Sequence, residues 1–365
     1  MLLSLLAATL VLLAAALALP QALAAPPAFW AHGILAVGVM SLIPAAMQHF
    51  VPVLARSQGV SPRMARLPLA MMAAGAVASL VLLGALPYAA VSGAAGLALS
   101  GVAILLAWML GKARQAVGRP HPGLYWYVAA LACLALGLAA AALLPFWPAQ
   151  HAALRAFHLH INLYGFVGLT AIGTLQVLLP TATGRPDPEV AARLKLDLKW
   201  AVAGSLFLAL GQAFDLSWLA QAGAALWGWP LSRMLLAWWR LQRRSIFAAH
   251  GAAPALAIAA IGFACALLGA VSGRPAPLTV FLPGFLMPLI VGAASQLAPV
   301  FLQAGVAGEW HVRSRRLLGL WGGPRALLFL TAAVLPLLGY QCAGMPALFG
   351  LVWFGAVFVI WLMRD

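Results

Sequence analysis

Apolar runs of about 20 residues, separated by short polar or basic stretches, fill the chain almost from end to end, and each is long enough to cross a bilayer as a helix. The pattern predicts spans near 1–24, 29–54, 67–87, 91–111, 123–146, 152–180, 197–217, 220–240, 253–271, 277–303, 325–340 and 343–363. The expected fold is an all-α polytopic membrane protein with twelve transmembrane helices. Nothing of comparable length falls outside the runs, so residues 1–365 read as one integral membrane domain with no soluble domain.

Composition agrees: 65% of residues are hydrophobic and 7% charged, far from a soluble domain. A net charge of +15 could point to nucleic acid, but the basic residues come in short clusters between spans, so the charge reports topology and no nucleic-acid partner is expected. Loops after even-numbered spans carry Arg56, Arg63 and Arg66; Lys112, Arg114 and Arg119; Arg185, Arg193, Lys195 and Lys199; Arg240, Arg243 and Arg244; and Arg313, Arg315, Arg316 and Arg325. Loops after odd-numbered spans hold only Arg155 and Arg274. The positive-inside rule then puts both termini in the cytoplasm, and the expected location is a bacterial inner membrane. The segment "LALPQALAAPP" offers a cleavage site like that of a signal peptide, but the first residues "MLLSLL" lack the positive n-region, so the first helix is expected to stay.

Three runs share a pattern when aligned on a proline near their inner end: "HGILAVGVMSLIPAAMQHFVP" at Pro52, "HINLYGFVGLTAIGTLQVLLP" at Pro180 and "TVFLPGFLMPLIVGAASQLAP" at Pro299. They are the second, sixth and tenth spans, and Gln48 aligns with Gln176. The twelve helices are therefore expected as three pseudo-symmetric four-helix repeats, approximately 1–111, 112–243 and 244–365, with sites at repeat interfaces. His32 and His160 fall at the same repeat position, where the third repeat has Thr279. With His158 they are expected in the outer third of the membrane, roughly 5–15 Å below its boundary at about 1.5 Å per residue.

Ionisable groups at that depth usually carry function. On a regular helix His158 and His160 are about 200° apart, so they face different neighbours, which suits a helix wedged between two sites that each take one imidazole, the neutral ligand of haem iron and copper. Tyr164 shares the face of His160. The bland alternative is that each histidine only hydrogen-bonds across helices. His49, near the inner boundary, and His121, His151, His250 and His311, in loops or at span ends, are expected to be solvated or interfacial. Arg233, the one basic residue expected deep in a span, needs an anion, for which a haem propionate, Asp215 or backbone carbonyls are candidates. Cys133, Cys265 and Cys342 stand singly, with no C-x-x-C-H for covalent haem.

The sequence His158, Leu159, His160, then Gly165, Phe166, Gly173, Leu175 and Pro180, resembles the H-x-H helix of the cbb-type haem-copper oxygen reductases. Extended by "TATGRP" at 181–186, it is similar to the H-x-H segment of the NnrS family, haem- and copper-containing membrane proteins associated with denitrification and nitric oxide stress. The second span resembles the reductases' second helix. The motifs cover about 55 residues. The resemblance implies His32 as an axial ligand of a b-type haem, with His158 or His160 as its partner and the other facing a second haem or copper. It leaves open which histidine pairs with His32. The seventh span lacks the histidine pair that holds the reductases' copper, and the tenth has no histidine, so oxygen or nitric oxide reduction at a standard centre is not expected. In the NnrS family the H-x-H helix comes early; here it is the sixth.

The expected function is haem b binding, with copper as a second metal, in respiratory electron transfer or nitric oxide and denitrification-linked metabolism. Membrane lipid, other respiratory-chain subunits and a c-type cytochrome are the expected partners. Two alternatives stand beside it. One is a haem-free transporter or copper-handling assembly factor built on the broken segment "FLPGFLMPLIVG", with Pro283, Gly284 and Pro288, where Met287 could help bind Cu(I). The other is a structural subunit that docks a respiratory partner.

Overall fold

The computed structural model describes residues 1–19, 25–273, 277–305, 308–340 and 344–364. Arg274, Cys342 and positions 20–24 of the "LALPQALAAPP" segment lie outside the described residues. Every regular element among those described is helical. In chain order they are α1 (Leu2–Ala18), α2 (Pro27–Leu54), α3 (Pro62–Leu82), α4 (Ala90–Arg114), α5 (Gly123–Leu143), α6 (Pro148–Thr183) and α7 (Val190–Ala213). There follow α8 (Ser217–Ile246), α9 (Ala253–Ser272), α10 (Pro277–Leu302), α11 (Glu309–Leu318), α12 (Gly322–Leu337) and α13 (Gly344–Arg364).

Eight of these, α2 to α6, α9, α10 and α13, are long and apolar enough to cross a membrane, and α11 with α12, bent by 42°, makes a ninth. The other three expected spans are helical but are not among these, so twelve crossings are not shown among the described residues. Helix α1 is short at 17 residues. Helix α7 carries Arg193, Lys195, Asp197 and Lys199 in its first turns, and α8 ends in Arg240, Arg243 and Arg244.

Three helices contain a π-helical segment: Gly33–Val39 in α2, Ile161–Val167 in α6 and Phe281–Leu286 in α10. Each ends thirteen residues before Pro52, Pro180 or Pro299. A π turn loosens the backbone ladder and brings a carbonyl or side chain outward, and such turns concentrate at functional sites. Against each one, a neighbouring helix brings a glycine. A Cβ on Gly75 of α3 would collide with the Ala36 carbonyl oxygen, and one on Gly262 of α9 with that of Gly284. On Gly137 of α5 it would lie 2.5 Å from Asn162 Nδ2. Without an apolar driving force between helices in lipid, such close approach is what holds them together.

The chain forms two compact units, Met1–Gly173 with Ala191–Pro230, and Thr174–Val190 with Leu231–Asp365. In the first, Thr9 of α1 packs on Gly38, and Gln48 Nε2 donates to the Met64 carbonyl at 2.7 Å. Gly211 of α7 meets the backbone of Ala220 in α8, and Trp227 Nε1 donates to Ser205 Oγ at 2.9 Å. In the second, Gly251 N–H donates to the Gly319 carbonyl at 2.7 Å, and Gly323 N–H to that of Ala249 at 3.0 Å, which ties the start of α12 to the segment before α9.

Several polar residues lie elsewhere than expected. Arg325 and Arg193 are 1% and 4% exposed, so Arg233, only half-buried in α8, is not the most buried cation. Arg325 satisfies part of its guanidinium on the Leu318 carbonyl (2.7 Å) at the end of α11 and lies over the Phe354 ring at 5.2 Å. His311 is buried, accepting from Gly308 N–H at 3.2 Å and contacting the Gln303 carbonyl at 2.9 Å. Asp215 is exposed in the turn after α7, at a φ of 54°.

Candidate functional site

The three membrane histidines are all held the same way. His32 Nδ1 donates to the Ala28 carbonyl at 2.9 Å, His160 Nδ1 to that of Ala156 at 2.8 Å, and His158 Nδ1 to that of Gly137 at 2.8 Å. A carbonyl can only accept, so each bond places the proton on Nδ1 and leaves Nε2 as a bare lone pair. Histidines that ligate metals are oriented in this manner. His32 and His160 use their own helix's carbonyl four residues back, and each immediately precedes a π-helical segment.

His32 and His158 come together. Their rings are parallel to within 6° with centroids 6.2 Å apart, and both line one cavity of about 130 Å³. Neither Nε2 has a hydrogen bond among the described residues. The rest of the wall is apolar apart from Asn162, and small residues such as Ala74, Gly75, Ala78, Ala94 and Ala98 make one side of it. Asn162 is clamped behind His158: its Nδ2 donates to the His158 carbonyl at 2.7 Å and lies 3.2 Å from His158 Nδ1. Gly137 therefore does two things, accepting from the imidazole and leaving room for the amide.

His160 belongs to a different environment. It is 5% exposed, its ring lies parallel to that of Tyr164 within 11° at 6.2 Å, and its Nε2 is buried with no hydrogen-bond partner. Ser205 of α7 donates to the Tyr164 carbonyl at 3.0 Å. No cluster of three or more His, Cys, Asp or Glu able to hold a metal ion occurs among the described residues. Arg233 lies in the second compact unit, whereas His32, His158, His160 and Tyr164 lie in the first.

A two-imidazole haem site makes a simple demand. Two imidazoles from different helices must each leave Nε2 bare beside one apolar slot. His32 and His158, with parallel rings 6.2 Å apart and each proton on Nδ1, line one apolar cavity and fit that demand.

Asn162 and Gly137 carried no signal strong enough to single out in the sequence. Asn162 stands four residues after His158, the spacing of a same-face partner, and that was the available clue.

Comparison with protein-family models, with curated proteins and with solved structures finds no match to this chain.

Proposed function

We propose that the protein binds a b-type haem between α2 and α6, with His32 and His158 as its axial pair, and that it serves in respiratory electron transfer or nitric oxide and denitrification-linked metabolism. The observation that carries this reading is the parallel His32–His158 pair on an apolar cavity, each Nδ1 proton committed to a carbonyl. When bound, the haem supplies a one-electron iron couple. The chain's own part is to fix both imidazole tautomers through Ala28 and Gly137, to hold His158 in place with Asn162, and to keep water off with the apolar wall. With His32 and His158 both engaged in holding it, the group would pass electrons and would not take up a substrate there.

The wider architecture we read is twelve spans in three four-helix repeats, with both termini cytoplasmic in a bacterial inner membrane. The recurrence of π-helical segments thirteen residues before three aligned prolines supports the repeats. Membrane lipid, a c-type cytochrome and other respiratory subunits are the partners that fit. The buried lone pair of His160 beside Tyr164 supports a second metal position, for copper or another haem. A haem-free transporter or copper-handling factor is the second reading, favoured by the π-helical turn through Pro283 and Gly284 and by the buried Met287.

A dithionite-reduced minus oxidised spectrum of the purified protein, with haemochrome and copper analysis of the same sample, separates the two. The haem reading predicts sharp b-type bands. Copper with no haem would favour the alternative.

A further inference from the structure

The cavity wall holds no Lys or Arg, whereas the haem of the proposed function carries two carboxylates at one edge. A cation stands close to that wall in sequence, on α6. Arg155 is the only charged residue of that helix, and it precedes by three and four residues His158 and Leu159, both of which line the cavity. It therefore shares their face, one turn beyond the cavity, at roughly 5 Å along the axis. His151 is four residues further back on the same face.

The stretch that leads into α4 touches the same end of α6. Tyr88 stands three residues before Val91, a cavity-lining residue of α4, and its hydroxyl lies 3.0 Å from His151 Nε2, with ring centroids 6.2 Å apart. The Tyr88 phenol is pushed up by burial and pulled down by the positive charge of Arg155, so the guanidinium acts on the same spot. If the phenol donates to Nε2, His151 keeps an Nδ1–H donor, and Arg155 adds its planar fork, which matches a carboxylate.

We propose that Tyr88, His151 and Arg155 form an anion clamp at the rim of the cavity that binds the carboxylates of its ligand, the haem propionates. The clamp rests on the haem reading and adds to it the residues that set which way the ring enters. It also gives a role to the one charged residue of α6.

The test is a titration of the haem-free full-length chain in neutral detergent with haemin and with haemin dimethyl ester, whose carboxylates are masked, read from the Soret band. The wild-type chain should bind haemin at least about tenfold more tightly than the ester, the size of a lost charge-assisted hydrogen bond. Arg155→Gln should bring the two affinities together, and Arg155→Lys should restore part of the preference. Equal affinity of the wild type for both compounds, or a preference unchanged in Arg155→Gln, overturns the clamp and leaves the haem site standing. Binding of neither compound overturns the haem reading as well.

Discussion

His32 and His158, on different helices, present parallel imidazoles whose centres are 6.2 Å apart, and the two rings are oriented by carbonyls of different origin. His32 leans on its own helix through Ala28, whereas His158 reaches across to Gly137 of α5. Three helices thus converge on the pair, so a change on α5 should be felt at the site although α5 supplies no ligand.

Gly137→Ala is the direct check of that coupling. Its Cβ would lie 2.5 Å from Asn162 Nδ2 and 2.8 Å from Oδ1, so the amide must move and the carbonyl behind His158 shifts with it. Overpacking of this kind costs about 1–3 kcal/mol, and loss of an orienting partner weakens metal binding about 10–100-fold. Thermal unfolding in detergent and haem retention on dilution should both fall. A variant that melts earlier yet keeps its haem affinity would reduce Gly137 to a packing residue.

The π-helical segments depend on glycines brought by neighbouring helices. Gly75→Ala and Gly262→Ala each place a methyl on a carbonyl oxygen, of Ala36 and Gly284, which neither backbone can yield without separating the helices. Each should lower the melting temperature, and Gly75→Ala, in the cavity wall, should also reduce haem content. Gly111→Ala, on open space, serves as the control and should be silent.

His121 gives the protein a pH dependence outside the membrane. Its N–H donates to the Leu54 carbonyl at 2.9 Å and its Nδ1 accepts from Gly123 N–H at 3.1 Å, tying the end of α2 to the start of α5. Burial pulls its pKa below the ordinary 6.5. A histidine lowered in the folded state binds more protons unfolded, so its contribution is fully present above the unfolded value and is lost as pH falls through the folded one. Melting temperature should drop between neutral pH and pH ~5, and His121→Asn should flatten that slope. An unchanged slope in the variant would assign the effect to other groups.

The membrane class was legible because 20-residue apolar runs have few other readings, and His32, His158 and His160 stood out because ionisable groups are rare in such runs. The partner of His32 was not legible. The 200° argument separates His158 from His160 on a regular helix, but it cannot say which neighbour each meets, and the π turn that follows His160 has no residue-type signature. Arg325 reads as a loop charge in the sequence, because nothing there shows that α12 begins before it and folds its side chain onto the end of α11. His151 was expected to be interfacial, and its contact with Tyr88 joins positions too far apart in sequence to be paired by pattern.

The central claim is the identity of the axial pair, and haem content with the low-spin spectrum of His32→Ala, His158→Ala and His160→Ala, measured side by side, tests it most directly. The first two should lose the low-spin b-type signal, and His160→Ala should keep it. Retention of the signal in His158→Ala with its loss in His160→Ala would contradict the account and move the ligand to the other histidine of the pair.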